Sequence, residues 1–343
     1  MLKRLQISDF RSVNIDIRPS PTLNYIVGGN GSGKSSILEA LHYLSFARSF
    51  RASSADKMIK KGASGFIIRA EIEKDGMLHQ IAIQRKKSIT QVLHQGNKSS
   101  FSKIAAIFPS LFVDSHSYRC YFSQPQFRRR LLDWLVFHVK PCYMASVRRY
   151  MGALRHRNAG LKVDGGLAPW ERLMASEASE ILMCRKAVYS QMDSLGIVAQ
   201  FPFMANVGLQ YTEGFSSSIG FMAALDAVRY KDKALGRTTI GPHVADWVLK
   251  SEGEHLPDIL SQGQLKSAYL SLIILHQMRM LKSGIQPCVL IDDLLAELDN
   301  TNSREILNQL LLSDGQYFVS SISMPDFAVL PRGEVFHVDR IIL

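Results

Sequence analysis

The chain has 343 residues, room for about two domains, and its 46% hydrophobic content excludes disorder on a large scale. Lys and Arg number 41 against 30 Asp and Glu, a net +11 with a pI near 9.5, and a surplus of that size implies a polyanionic partner. No apolar run reaches the roughly 20 residues of a membrane span, and the N-terminus lacks a signal peptide's apolar stretch. Cys120, Cys142, Cys184 and Cys288 form no C-x-x-C pair, so a cytoplasmic protein without a zinc site or disulfide framework is expected.

Residues 1–28 read as strands at Leu2–Ile7, Val13–Ile17 and Leu23–Val27, the last a continuous apolar run of the buried kind. A glycine turn follows, and then Ile37, Leu38, Leu41 and Leu44 set one apolar stripe on a helix from Lys34 to Phe46. Period two returns at Phe66–Glu73 and Leu78–Arg85. Between about Leu111 and Ser194 the spacing turns helical, and the stretch Ser115–Ser190 carries 13 Lys and Arg against 5 Asp and Glu, a surplus of 8. After Phe201 a mixed pattern resumes. It predicts strands at Val207–Tyr211, Val244–Lys250, Cys288–Ile291 and Tyr317–Ser320, with a helix at Ile219–Tyr230.

The segment Gly28-Gly29-Asn30-Gly31-Ser32-Gly33-Lys34-Ser35 fits G-x-x-x-x-G-K-[ST], after a buried strand and before an amphipathic helix. Glycines let backbone N–H groups curl around a phosphate, and the helix N-terminus adds a favourable dipole. Lys34 would neutralise the β- and γ-phosphates of ATP, and the Ser35 hydroxyl would ligate Mg²⁺. The apolar strand Val289-Leu290-Ile291 ends in Asp292-Asp293, the form of a Walker B strand, with Asp292 expected in the Mg²⁺ shell and Asp293 beside the attacking water. Leu260-Ser261-Gln262-Gly263-Gln264 resembles the ABC signature L-S-G-G-Q and opens a long apolar-faced helix, although Ser-x-Gly also suits a plain helix cap. Ala296-Glu297-Leu298-Asp299 resembles the D-loop.

Several further blocks give the chain a family resemblance over nearly its full length. Leu5-x-Ile7-x-x-Phe10-Arg11, Leu38-Glu39-Ala40, Arg48-Ser49-Phe50-Arg51, Arg128-Arg129-Arg130-x-Leu132-Asp133-Trp134, Arg155-x-Arg157-Asn158 and Gly241-Pro242-His243, with the P-loop and the signature, occur in the order of the RecF family. The resemblance implies an α/β P-loop ATPase head of the ABC type with an inserted helical lobe and no long coiled coil. Residues 1–110 and 200–343 would form the ATPase domain and 111–199 the basic lobe, a candidate for DNA binding and dimer contact.

The resemblance also implies a weak, DNA-stimulated ATPase whose copies pair head to tail, with ATP between the P-loop of one and Ser261, Gly263 and Gln264 of the other. Arg11 and Ser36 join the nucleotide-contacting set. The implied role is to recognise gapped or junction DNA and, with RecO and RecR, help load the RecA recombinase. Three departures stand out: Asp293 is one methylene shorter than the glutamate usual in ABC ATPases, Val113–Arg119 lacks an expected proline and glutamine, and Val244 replaces an arginine; Ser320-Ser321-Ile322 supplies no switch histidine, which suits this family better than a transporter subunit.

Phosphate contact is expected from among Arg128, Arg129, Arg130, Arg148 and Arg155. Consecutive arginines at about 100° per residue fan over more than half a helix, so Arg128, Arg129 and Arg130 cannot all meet one phosphate row. Asp133 lies three residues from Arg130 and four from Arg129, which suits an intrahelical salt bridge. Arg148 and Arg155 share a helix face. Two other readings remain open: an ATP-switched DNA-binding scaffold with vestigial hydrolysis, and the nucleotide-binding subunit of a transporter.

Overall fold

A computed structural model describes residues 1–50, 54–86, 89–163, 165–193, 206–293, 304, 308, 315–323 and 332–338. The chain divides into two compact units, Met1–Tyr118 with Lys266–Leu343, and Arg119–Leu265. The D-loop resemblance at 296–299 and Arg51 lie outside the described residues. Among the described residues no helix is long and apolar enough to cross a membrane.

The first unit holds two sheets. Strands β1 (Leu2–Phe10), β2 (Val13–Ile17), β4 (Gly65–Lys74), β5 (Met77–Lys86), β6 (Ile89–His94) and β7 (Asn97–Lys98) form an antiparallel sheet in the order β2-β1-β4-β5-β6-β7. Its alternating residues are buried on one face, as in β4, where Phe66, Ile68, Ala70 and Ile72 point inward. Strands β3 (Leu23–Val27), β8 (Ser110–Val113), β12 (Cys288–Ile291), β13 (Gln316–Ser321) and β14 (Glu334–His337) form a parallel sheet ordered β14-β3-β13-β12-β8. Every residue of β3, β12 and β13 is buried, as in a sheet covered on both faces, and the polar ones, Asn24, Gln316, Ser320 and Ser321, are hydrogen-bonded. Helix α1 (Lys34–Phe46) contributes Ile37, Leu38, Leu41 and Leu44 to one apolar core shared with both sheets.

Helices α2 (Phe101–Ile107) and α3 (Ser115–Ser123) precede the second unit's own helices α4 (Pro125–Val139), α5 (Tyr143–Lys162) and α6 (Ala168–Asp193). A three-stranded sheet follows, β11-β10-β9, from β9 (Val207–Thr212), β10 (Asp246–Ser251) and β11 (Glu254–His255). Short helices α7 (Phe221–Ala227), α8 (Arg229–Leu235) and α9 (Leu256–Ile259) come before the long α10 (Gln262–Leu281).

Three elements depart from the sequence pattern. The helix expected at Ile219–Tyr230 is two helices, broken at Val228, where φ −106° and ψ 5° leave the helical region. The strand expected from Val244 begins at Asp246, because Val244 N–H closes a turn onto the Gly241 carbonyl at 2.9 Å. β8 pairs with β12 although its four residues carry no strand signal separable from the helical stretch beginning at Leu111.

Buried charge, not apolar packing alone, knits the second unit. Arg157 is fully buried and donates to Glu171 Oε1 at 3.0 Å, to Asp232 Oδ2 at 2.7 Å and to Thr238 Oγ1 at 2.7 Å. Asp232 also accepts from the Thr239 N–H and hydroxyl, and Arg229 shares Glu171. A buried ion group loses far more when one member is removed than it gains when intact. Arg157→Ala, which strands two buried carboxylates, is expected to cost about 3–5 kcal/mol in urea unfolding.

Candidate nucleotide-binding site

The loop after β3 turns on glycines with positive φ, Gly31 at +79° and Gly33 at +113°, values open to glycine at no steric cost. Gly33 leads into α1, which has neither a side-chain cap nor an acidic residue in its first turn. Its first N–H groups and the positive end of its dipole are therefore left to an anion. Lys34 is buried, and its Nζ donates to the carbonyls of Gly28 at 2.7 Å and Gly29 at 2.9 Å, so the ammonium sits across the loop.

Parallel register brings the second motif to the first. Ile291 pairs with Val319 on one side and Val113 on the other, while Val27 pairs with Ser321. The C-terminal ends of β3, β13 and β12 thus lie side by side, the edge at which open α/β sheets bind ligands. Ser35 Oγ donates to Asp292 Oδ1 at 3.2 Å, and Ser320 Oγ donates to the same oxygen at 2.6 Å. Burial pushes the Asp292 carboxyl above its ordinary range; the two serine hydroxyls pull it back, and neighbouring Asp114 and Asp293 push it further up. Asp293 sits at φ +58°, with its N–H on Ser320 Oγ at 2.8 Å and its carbonyl accepting from Lys266 Nζ at 3.4 Å.

Ser35 Oγ and Asp292 Oδ1 are hard oxygen donors close enough to share one hard divalent cation, the donor chemistry Mg²⁺ takes. The fit is local to this pair, since no group of three or more His, Cys, Asp or Glu suited to a metal occurs among the described residues.

A cleft of about 610 Å³ opens on the loop. Its lining joins Gly31, Gly33, Lys34, Ser35 and Ser36 with Arg11, Ser12 and the basic residues Lys57, Lys60 and Lys61. Arg11 is fixed by Glu39, to which it donates at 2.5 and 2.9 Å, and Ser49 donates to the same carboxylate. Lys57, Lys60 and Lys61 are not legible as site residues in the sequence. Their run of charge is visible there, but it is the bridge from Phe10 to Ile59, the bond from Arg11 N–H to the Met58 carbonyl at 2.6 Å and that from Lys60 N–H to the Asp9 carbonyl at 2.8 Å that bring it beside Arg11. Ser320 likewise gives no signal, because the end of β13 stands out in the sequence only for lacking a histidine.

In the second unit, Ser261 and Gln264 form a reciprocal cap at the start of α10. Ser261 N–H donates to Gln264 Oε1 at 2.9 Å, and Gln264 N–H donates to Ser261 Oγ at 3.4 Å. The turn is solvent-accessible at Ser261 and Gln262. These two bonds are those of an ordinary capping box.

The arginines separate. Arg128 is buried, gripping Asp246 through two bonds of 2.8 and 2.7 Å while its remaining nitrogen donates to the Tyr121 carbonyl at 2.6 Å. Arg129 donates to the Ala245 carbonyl at 3.0 Å. Arg128 is thereby removed from the expected phosphate contacts, and Arg129 is tied by one nitrogen. Asp133, expected to pair along its own helix, instead takes Arg185 at 2.7 Å and the Tyr143 hydroxyl at 2.6 Å, because that face of α4 turns into the unit. Arg130, Arg148 and Arg155 are exposed.

The chain matches the model of the RecF/RecN/SMC N terminal domain over residues 1–333. It is 30% identical over 344 residues to the DNA replication and repair protein RecF of Coxiella burnetii (strain CbuG_Q212), covering 97% of this chain and 96% of that one. To its counterpart in Shewanella pealeana it is 31% identical over 353 residues, covering 99% and 98%. Among solved structures it is similar to the recombination mediator protein RecF-ATPrS of the RecFOR pathway, with a TM-score of 0.85 at 23% identity, covering 98% of this chain and 96% of that one. It is also similar to an SMC head bound to the C-winged helix domain of ScpA, with a TM-score of 0.55 at 16% identity, covering 94% and 89%. These likenesses give the fold: an α/β head of the RecF and SMC type.

Arg128 and Arg130 provide a contrast measurable without ligand. Arg128→Ala breaks a buried pair and is expected to lower stability by about 3 kcal/mol or more, whereas Arg130→Ala, at an exposed position, should stay within about 0.5 kcal/mol. Equal unfolding midpoints for the two variants would contradict this division.

Proposed function

The chain belongs to the RecF family of DNA replication and repair proteins, and on that premise we propose that it is an ATP-binding and ATP-hydrolysing DNA repair protein whose copies are joined by nucleotide. The observation that carries the reading is the meeting of Ser35, next to Lys34 at the start of α1 after β3, with Asp292 at the end of β12, on the far side of β13 in the same parallel sheet, with Ser35 Oγ 3.2 Å from Asp292 Oδ1. That is the arrangement phosphoryl transfer needs, since its catalysis is mostly positioning and charge stabilisation.

In this reading Lys34 leaves the Gly28 and Gly29 carbonyls for the β- and γ-phosphates. The loop N–H groups of Gly31–Ser35 enclose the phosphate chain, Ser36 closes the first turn behind it, and Arg11 and Ser12 line the same cleft. Ser35 Oγ and Asp292 would hold Mg²⁺, which would supply neutralisation of the phosphate charge. Asp293 orients the water that adds to the γ-phosphorus as the bond to the ADP oxygen breaks. Ser261, Gly263 and Gln264 of a second copy close the site, so that nucleotide favours the pair by mass action.

Residues 111–199, the basic helical lobe of this reading, carry the DNA contact through Arg130, Arg148 and Arg155, with Arg129 contributing by what its bond to Ala245 leaves over. Recognition is by backbone and shape, on gapped or junction DNA, and the task is to help load RecA together with RecO and RecR. Support comes from the near full-length similarity to RecF proteins and from the positive balance of this stretch.

Size-exclusion chromatography tests the nucleotide half. The parent is expected to elute as a dimer with Mg·ATP and as a monomer with ADP, while Lys34→Ala and Ser261→Ala stay monomeric throughout; a parent that remains monomeric when saturated with Mg·ATP refutes it. Binding to a gapped duplex across a salt series tests the DNA half. Affinity should fall linearly on a log–log plot, and replacing Arg130, Arg148 and Arg155 by Ala should flatten the slope by about 1 for each phosphate that is no longer neutralised. A parent with no salt dependence rules the electrostatic mechanism out.

A further inference from the structure

β13 carries none of the motifs, yet one of its side chains is bonded to both acids of the site. It runs between β3, which leads into the phosphate loop, and β12, which ends in the two acids. Its last residues therefore lie between both: the Gly28 N–H donates to the Ser321 carbonyl at 3.2 Å, and Ser320 lies level with Asp292. Ser320 is fully buried. Its hydroxyl donates to Asp292 Oδ1 at 2.6 Å and accepts from the Asp293 N–H at 2.8 Å.

A hydroxyl has one proton to give and lone pairs to receive. With the proton on Asp292 and a lone pair on the Asp293 amide, one side chain fixes the carboxylate of the first acid and the backbone of the second. The second bond matters because Asp293 lies in the left-handed region, which a residue with a Cβ adopts at a cost unless its surroundings hold it there. Two anchors do so, Ser320 Oγ on the N–H and Lys266 Nζ on the carbonyl.

We infer that Ser320 is a positioning residue for phosphoryl transfer, holding Asp292 against Ser35 and Asp293 in its left-handed conformation so that the two acids keep one fixed relative orientation. The inference rests on the nucleotide-hydrolysis reading. Groups that orient a metal ligand from behind are worth about 10–100-fold in metal affinity or activity when removed.

The test uses the full chain with Ser320→Ala and Ser320→Thr. Nucleotide affinity is read with a fluorescent ATP analogue, the cleavage rate by single-turnover phosphate release on gapped duplex at saturating ATP, and the cation site by Mn²⁺ electron paramagnetic resonance with a non-hydrolysable analogue. For Ser320→Ala the expected result is nucleotide affinity within about twofold of the parent, with cleavage slower and Mn²⁺ binding weaker by about 10–100-fold. Ser320→Thr, which keeps the hydroxyl, should recover most of both. An alanine variant with parental cleavage and Mn²⁺ binding overturns the inference, as does a threonine variant no better than alanine; a fluorescent-analogue titration and thermal melt matching the parent's show that the variant is folded. A parent that binds no nucleotide overturns the hydrolysis reading itself, whereas a parent that binds and cleaves beside an unaffected alanine variant overturns only the role of Ser320.

Discussion

Everything proposed for the nucleotide site depends on a pairing of strands that are remote in the chain. β3, β13 and β12 run parallel in register, so Val27, Ser321 and Ile291 end at the same edge although they come from opposite ends of the sequence. A slip of one residue would turn every side chain of β12 to the other face, separating Asp292 from both Ser35 and Ser320. The register is held by burial: these strands are covered on both faces, and the core that covers them includes α1, the helix that bears Lys34 and Ser35. Sheet packing and site geometry are one constraint.

Charge in the second unit has two uses that composition cannot separate. Arg128, Arg157 and Arg185 are buried and spent on Asp246, on Glu171 with Asp232, and on Asp133. Each belongs to the positive balance of the stretch, yet none is open to a polyanion. The Gly241-Pro242-His243 turn is one place where such bonds converge: Arg185 donates to the Pro242 carbonyl at 2.7 Å, and Tyr150 and His243 Nδ1 lie 2.8 Å apart. Burial holds the His243 imidazole below its ordinary pKa, so this pairing stays neutral at physiological pH. The family block containing Arg128 and the block containing Gly241 are, in this chain, parts of one buried scaffold around β10.

The phosphate loop, the Walker B strand and the helix of α1 are legible in the sequence because each is local. Glycines, a lysine and a serine at fixed spacing between a buried run and an amphipathic stripe need no distant partner to be recognised. Lys57, Lys60 and Lys61 are not, since a short basic segment looks the same whether it lines a cleft or faces solvent. Ser320 is hidden for the opposite reason: a serine at the end of an apolar strand carries no signal until its neighbours across the sheet are known.

By itself the sequence determined the fold class, the loop that would cradle a phosphate, the acids that would face it and the stretch rich in positive charge, because periodicity and motif spacing are properties of neighbouring residues. Tertiary structure decided which of those charges remain exposed, which basic segment lines the cleft, and which hydroxyl ties Asp292 to Asp293. These depend on strand order and on the direction each helix face turns, and both are settled by pairings that no local pattern reveals, such as Phe10 with Ile59, Arg128 with Asp246 and Ser35 with Asp292.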